Sequence, residues 1–274
     1  PMNAEIESLL NGSIDLHVHS GPETKSRRMD AMETARYAYE AGMAGFALKS
    51  NEYLTTPLTY TLSQIYPGLA IYGSISLNSA VGGINPEAVL KAAQLGTSFV
   101  WMPTASANFL VSKTQPEKGI RILDTEGKLT AETIEVLNIV KSYNMTLMSG
   151  CISPTETIEL FTSAKALGLE KLVANHPENF LDEQLEQLVN LGAYLEFSFL
   201  SCMPLTSKLS PQELANNITK YGAQSCILTT SFGQFMNPPP SEGMRMAIAS
   251  LVESGMLKEN ISSLIKDNPN RLVN

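Results

Sequence analysis

Eight apolar segments of strand length recur along the 274-residue chain, each followed by a segment with helical periodicity. The first begins at Ile14, and the others span residues 44–50, 69–77, 98–103, 145–150, 171–175, 192–199 and 225–230. Their spacing of about 30 residues is that of a βαβ unit. The segments are continuously apolar, as strands covered by helices on both faces must be. The pattern predicts an α/β fold, a (β/α)8 TIM barrel formed as a single domain by residues 1–274.

The intervening segments carry helix-start signals. Asp30, Thr130, Ser153 and Ser210 each precede a helical pattern and are suited to cap it. Residues 104–129 lack a clear period, which predicts a long loop with a small hairpin near its end. A doubly wound open sheet is the alternative architecture. No GxGxxG or P-loop motif follows any predicted strand, which weakens the nucleotide-binding form of that alternative.

Composition excludes several classes of partner. The net charge is −8, and no run of Lys or Arg stands out, so nucleic acid and anionic membrane surfaces are poor partners. No apolar run is long enough to span a bilayer. No leader peptide is visible, and the three cysteines are odd in number and far apart, which argues against a disulfide framework. We therefore expect a cytoplasmic protein.

Two of the three histidines, His17 and His19, close the first predicted strand. Residues i and i+2 of a strand point to the same face, so the two imidazoles should lie side by side, as a metal site or an acid–base site requires. An isolated pair of this kind is also compatible with one core histidine and one loop histidine. The third histidine, His176, follows the sixth predicted strand, so all three fall where a barrel places its active site.

The other predicted strand ends supply the remaining candidates. Cys151 could join the three histidines as a ligand of zinc or another divalent metal, or be a small buried hydrophobe. Lys49 could bind a substrate carboxylate or act as a base, or form a salt bridge with Glu52 or Glu23. Glu178 and Glu196 are further carboxylates in reach. Trp101 would line the pocket or belong to the core.

Several stretches are similar to the amidohydrolase (metal-dependent hydrolase) superfamily, and more closely to an uncharacterised amidohydrolase-like branch of it. The similarity runs from end to end, through HSGPE (19–23), LKS (48–50), NSAVGGINPEAV (78–89), VWMPT (100–104), ILTTSFGQ (227–234), NPPPSEG (237–243) and KDNPNRL (266–272). The resemblance implies a metal site at the barrel mouth and a metal-bound hydroxide that attacks an amide or ester bond.

The chain departs from the superfamily pattern at three positions. His17, His19 and His176 match the pattern, but Cys151 replaces the histidine after strand five and Ser231 the aspartate after strand eight. Asn51 stands where the branch has a histidine. The resemblance thus implies an incomplete ligand set, which argues against a two-metal site.

These observations predict a metal-dependent hydrolase that acts on a small polar or carboxylated molecule. Its metal, zinc or another divalent ion, would be held by His17, His19, His176 and Cys151, unless the site has lost it. The predicted catalytic residues are Lys49, Glu23 and Glu178. The predicted substrate-binding residues are Lys49, Asn51, Asn78, Trp101, Thr104, Ser231 and Gln234. Assembly into a homo-oligomer is expected from the superfamily. The alternatives are a lyase, isomerase or small-molecule-binding pseudoenzyme without a catalytic metal, or an interaction scaffold.

Overall fold

The computed structural model describes residues 2–206 and 208–274. The strands are β1 (Ile14–Val18), β2 (Gly45–Leu48), β3 (Ala70–Tyr72), β4 (Ser74–Ser76), β5 (Phe99–Trp101), β6 (Thr146–Met148), β7 (Leu172–Ala174), β8 (Tyr194–Ser198) and β9 (Cys226–Thr229). The α-helices are α1 (Met2–Leu10), α2 (Ala31–Glu40), α3 (Thr56–Ser63), α4 (Pro86–Gln94), α5 (Asn108–Val111), α6 (Ala131–Ser142), α7 (Pro154–Ala166), α8 (Asp182–Asn190), α9 (Pro211–Tyr221), α10 (Pro240–Glu253), α11 (Lys258–Ser262) and α12 (Asn268–Val273). A π-helical turn, Ser263–Asp267, joins α11 to α12.

The strands form the predicted (β/α)8 barrel. Strands β1 to β3 and β4 to β9 pair in parallel and in chain order. The barrel closes just beyond the last strand, where the Ser231 amide donates to the His17 carbonyl at 2.9 Å. The His19 amide donates to the Phe232 carbonyl at 2.8 Å. This closure brings the chain's first strand and its last strand together at the mouth.

The predicted third strand, residues 69–77, is divided in two at Gly73. A Cβ atom added to Gly73 would lie 2.2 Å from Oγ1 of Thr56, so the start of α3 occupies the space beside the strand. Oγ1 of Thr55 accepts a hydrogen bond from the Ser74 amide at 2.9 Å. The side chains at the start of α3 therefore take over contacts that a continuous strand would make at this point.

The apolar core has two layers. One lies between the strands and the surrounding helices. The other fills the lower part of the barrel interior with inward side chains of the strands, among them Leu16, Phe99, Trp101 and Val173. Leu272 of α12 packs into this inner cluster, and its carbonyl accepts a hydrogen bond from Oγ1 of Thr146 at 2.6 Å. The C-terminal helix therefore covers the bottom of the barrel.

All four predicted caps are present: Asp30, Thr130, Ser153 and Ser210 accept from backbone amides in the first turns of their helices. The hairpin predicted near residue 126 is reduced to a bridge between Leu123 and Leu129. Helix α5, in the predicted loop, was not expected. In the described part of the chain, no helix combines the length and apolarity that crossing a membrane requires.

Candidate active site

His17 lies at the base of the barrel mouth and is held by a buried carboxylate. Its Nδ1 is 2.7 Å from Oε2 of Glu196, which projects inward from β8. Glu196 also accepts hydrogen bonds from Oγ1 of Thr229 at 2.8 Å and from Nδ2 of Asn175 at 2.9 Å. Burial alone would raise the pKa of Glu196, but its partners His17 and Asn175 hold that pKa well below its usual range.

The ionised Glu196 determines the tautomer of His17. A carboxylate only accepts hydrogen bonds, so Nδ1 of His17 carries the proton and Nε2 is free to accept one. Burial lowers the pKa of His17, which favours this neutral form, although Glu196 opposes the shift. The ring is packed beside His19 and Trp101, with centroids 5.0 and 4.7 Å away. His17 therefore has the protonation and the fixed orientation that a general base requires.

Ser231 faces the free nitrogen of His17. Its Oγ is 3.4 Å from Nε2, and its backbone has φ +56, in the left-handed region that a non-glycine residue rarely adopts. The turn is held by Nε2 of Gln234, which donates to the Ser231 carbonyl at 2.8 Å. Beside it, Asp15 accepts from the side chain and amide of Thr230. Burial raises the pKa of Asp15 to about 7.

A cavity of about 260 Å³ opens at this point. Four of the predicted site residues line it, His17, His176, Glu178 and Ser231. Its polar wall also includes Glu196 and Lys208. Apolar side chains also line the cavity: Phe180, Leu185, Phe197, Leu200 and Leu209. The cavity thus offers both an apolar surface and charged groups to a small ligand.

His176 is beside Glu178 at the rim of the cavity. Its Nδ1 is 3.5 Å from Oε1 of Glu178, and Nζ of Lys208 is 3.4 Å from the same oxygen. Burial opposes a charge on His176, but interactions with Cys151 and Glu178 outweigh it and raise the pKa of His176. The arrangement places cationic groups at the rim, and Glu178 is paired with them rather than available as a free base.

Lys49 belongs to a second polar cluster, with Asn51, Asn78 and Thr104. Its Nζ donates to Oδ1 of Asn51, which also accepts from Oγ1 of Thr104 at 2.7 Å. Nδ2 of Asn78 donates to Oγ1 of Thr104 at 2.8 Å. Nζ of Lys49 lies 5.3 Å from the centre of the Trp101 ring, and burial lowers the pKa of Lys49 to about 8. Five of the seven predicted substrate-binding residues are therefore brought together, but none of these five lines the cavity.

The salt bridges proposed for Lys49 are not formed. Glu23 pairs instead with Nε of Arg27 at 2.8 Å and accepts from Oγ of Ser50 at 3.1 Å. Glu52 accepts from the Thr24 amide. Because Glu23 is buried against an arginine, it is committed to structure, and its predicted role in proton transfer has no support from its contacts.

The predicted metal ligands do not converge. Across residues 2–206 and 208–274, no three side chains of His, Cys, Asp or Glu are arranged to hold a metal ion. The free nitrogen of His17 faces Ser231, whose neutral hydroxyl is not among the donors that zinc prefers. His176 interacts with Cys151 and with Glu178. Nδ1 of His19 is buried without a hydrogen-bond partner among the described residues, but it is not joined there by two further donors. As arranged here, His17, His19, His176 and Cys151 thus do not form the predicted site for a divalent metal.

Sequence reasoning missed Lys208 at the cavity rim and two buried polar residues, Asn175 and Asp15. Asn175 connects three strands, since it also accepts from the Gly150 amide at 2.8 Å while its Nδ2 binds Glu196. Asp15 is fully buried beside the barrel closure. Both are polar residues inside apolar strand segments, and that anomaly is the signal that would have identified them.

The fold is similar to those of several solved hydrolase structures. It resembles an amidohydrolase from Pseudomonas aeruginosa, with a TM-score of 0.69 and 13% identity over 98% of this chain and 97% of that one. It also resembles the probable dipeptidase PvdM from the same organism, with a TM-score of 0.67 and 11% identity over 99% and 97% of the chains. A TatD homologue from Escherichia coli K12 gives 0.61 and 15% over 96% and 98%. At these identities the likeness establishes an amidohydrolase-type barrel fold.

The sequence itself identifies the family. Residues 12–196 match the model of a family of unknown function, DUF6282, and the chain belongs to that family. No curated protein matches the sequence significantly.

Proposed function

We propose that this protein is a hydrolase that cleaves an amide or ester bond of a small polar or carboxylated molecule bound in the cavity at the barrel mouth. The observation that carries the proposal is the Glu196–His17 pair. It presents an unprotonated Nε2 to a cavity of about 260 Å³. The resemblance of the fold to hydrolases of several kinds supports the same reaction class.

The chain's own residues supply the steps. His17 accepts a proton at Nε2 from the attacking hydroxyl group, and Glu196 stabilises the imidazolium that results. His17 then returns the proton to the leaving group. Lys208 and His176 at the rim suit a substrate carboxylate, while Phe180, Leu200 and Leu209 accommodate its apolar part. Because the donor set does not fit a metal, no step of this reaction passes through one.

The proposal is tested with chromogenic esters and amides of small carboxylic acids, assayed before and after dialysis against a chelator. We expect hydrolysis that survives chelation, and a loss of about 10²–10⁴ in kcat/KM for His17→Ala. Glu196→Gln keeps the shape of the side chain but removes its charge, and it should lower kcat/KM less than His17→Ala does. Asn179→Ala, at an exposed position, is the matched control.

Three results would contradict this proposal. If chelation abolishes hydrolysis and zinc restores it, the reaction is the metal-dependent one that the sequence predicted. If His17→Ala hydrolyses as fast as the unmodified protein, the hydrolytic role of the Glu196–His17 pair is wrong. If nothing in the panel is hydrolysed, the proposed substrate class is wrong.

A further inference from the structure

We propose that Ser231 is a covalent nucleophile, with His17 as its base and Glu196 as the carboxylate that orients His17. This inference rests on the proposed hydrolytic function and assigns the attacking hydroxyl group to the protein rather than to water. It would make the site a serine–histidine–glutamate triad built across the closure of a (β/α)8 barrel.

The three side chains form one continuous contact path. Oγ of Ser231 lies 3.4 Å from Nε2 of His17, whose Nδ1 lies 2.7 Å from Glu196. The distance to Ser231 is at the long end for a hydrogen bond, as is common for a nucleophile and its base before substrate binds. All three residues line the cavity, yet they are only 6%, 4% and 2% exposed. A bound substrate would therefore meet the hydroxyl in a largely dry environment.

The backbone at Ser231 supports the assignment. Ser231 follows β9 directly after Thr230 and adopts φ +56, a conformation that costs energy for any residue other than glycine. Its amide is bonded to the His17 carbonyl, and its carbonyl accepts from Gln234. Strained backbone held by such contacts is a recurrent feature of exposed serine nucleophiles at strand ends.

The proposed reaction balances in two steps. Oγ of Ser231 forms a bond to the carbonyl carbon of the substrate, and its proton passes to Nε2 of His17. The bond from that carbon to the leaving oxygen or nitrogen then breaks, and the leaving group takes the proton from His17. In the second step water attacks the acyl group on Ser231, His17 takes the water's proton, and Ser231 recovers it as the carboxylic acid departs.

Ser20 serves as the control for this assignment. Ser20 is also buried at the barrel mouth, and its Oγ lacks a hydrogen-bond partner within the described residues. Ser20→Ala therefore removes a hydroxyl of comparable burial without breaking a bond. It should leave both labelling and hydrolysis unchanged.

The test is covalent labelling with a small alkyl fluorophosphonate, in which Oγ–P bond formation expels fluoride. We expect one adduct per chain, located on Ser231 by peptide mass spectrometry. Ser231→Ala should abolish the adduct, and His17→Ala should slow labelling at least about 100-fold. Thermal melting of each variant verifies that it is folded. The Ser231→Cys variant keeps a nucleophile, so a thiol-alkylating reagent should modify position 231 faster than Cys202.

Failure of this inference is distinct from failure of the proposed function. If Ser231→Ala is folded and hydrolyses the panel at the unmodified rate, water attacks directly, and the nucleophile assignment is overturned while the hydrolase stands. An adduct that persists in Ser231→Ala overturns it as well. If Ser231 is labelled but nothing in the panel is hydrolysed, the nucleophile stands and the proposed substrate class is wrong.

Discussion

At the scale of single residues, the site depends on how Glu196 is held. Its carboxylate is buried without an arginine or lysine partner among the described residues, and its charge is balanced by three hydrogen-bond donors on β1, β9 and the end of β7. A buried carboxylate is tolerated when such donors are fixed in place. Asn175 provides one of the three donors, so replacing it should also disturb the buried charge of Glu196.

Replacing Asn175 by alanine is expected to lower the free energy of unfolding by about 2–4 kcal/mol. The change removes the donor to Glu196 and leaves the Gly150 amide without its acceptor, and each buried unsatisfied group costs about 1–3 kcal/mol. Chemical denaturation measures the loss. Asn179→Ala, exposed and nearby in sequence, should change stability by less than about 0.5 kcal/mol. Equal stability of the two variants would show that the Asn175 bonds contribute little.

The histidines were predictable at this scale, whereas their partners were not. His17, His19 and His176 are rare residues placed at the ends of apolar segments, and that position alone indicates a barrel mouth. The pairing of His17 with Glu196 joins residues 179 positions apart, and a single sequence carries no record of such a contact. The orientation of the His17 ring, which decides whether His17 can act as a base or as a metal ligand, is likewise set by such distant partners.

At the scale of elements, the break between β3 and β4 shows how a helix start can interrupt a strand. The run from Leu69 to Leu77 has the composition of one continuous strand, and only Gly73 distinguishes its centre. Glycine within a strand often marks a close approach by another backbone. Here the approaching segment is the start of α3 at Thr56.

Gly73→Ala is expected to destabilise the protein by about 3 kcal/mol or more. Its Cβ would lie 2.6 Å from Cα of Thr56, so relief requires a backbone shift of α3, which costs more than ordinary overpacking of about 1–3 kcal/mol. Gly21→Ala is the matched control. Its Cβ would have only ordinary contacts, at 3.6 Å or more, and its backbone is not in the left-handed region. A thermal melt in which both variants match the unmodified protein would contradict this account of the break.

At the scale of the whole molecule, the barrel is sealed below by the C-terminal helix. The strand–helix repeat predicted the barrel because the repeat is local. The packing of Leu272 into the inner cluster was not predictable, because the sequence of α12 does not distinguish a helix that covers the bottom of the barrel from one that packs outside it. The N-terminal helix α1, which precedes the first strand–helix unit, was not predicted. Its side chains Ile6, Leu9 and Leu10 pack into the outer core layer, and Nε of Arg245 on α10 lies 2.6 Å from Oε1 of Glu7.

Leu272→Ala should lower the free energy of unfolding by about 2–5 kcal/mol, as expected for a large buried side chain whose loss leaves a cavity. Leu272 is 2% exposed and contacts the inner cluster, whereas Leu257 is 66% exposed. Leu257→Ala is therefore the control and should be nearly neutral. Denaturant titration distinguishes the two, and a Leu272→Ala protein as stable as Leu257→Ala would show that α12 does not support the barrel interior.

The closure of the barrel has a further consequence for when the chain becomes reactive. Ser231 and His17 are separated by 214 residues and meet only where the first strand joins the segment after the last one. No partial chain that stops before Ser231 holds both groups. If Ser231 is the nucleophile, a growing polypeptide would not react with a fluorophosphonate at this site until synthesis has passed Ser231. The time at which labelled Ser231 first appears would then mark the completion of the barrel.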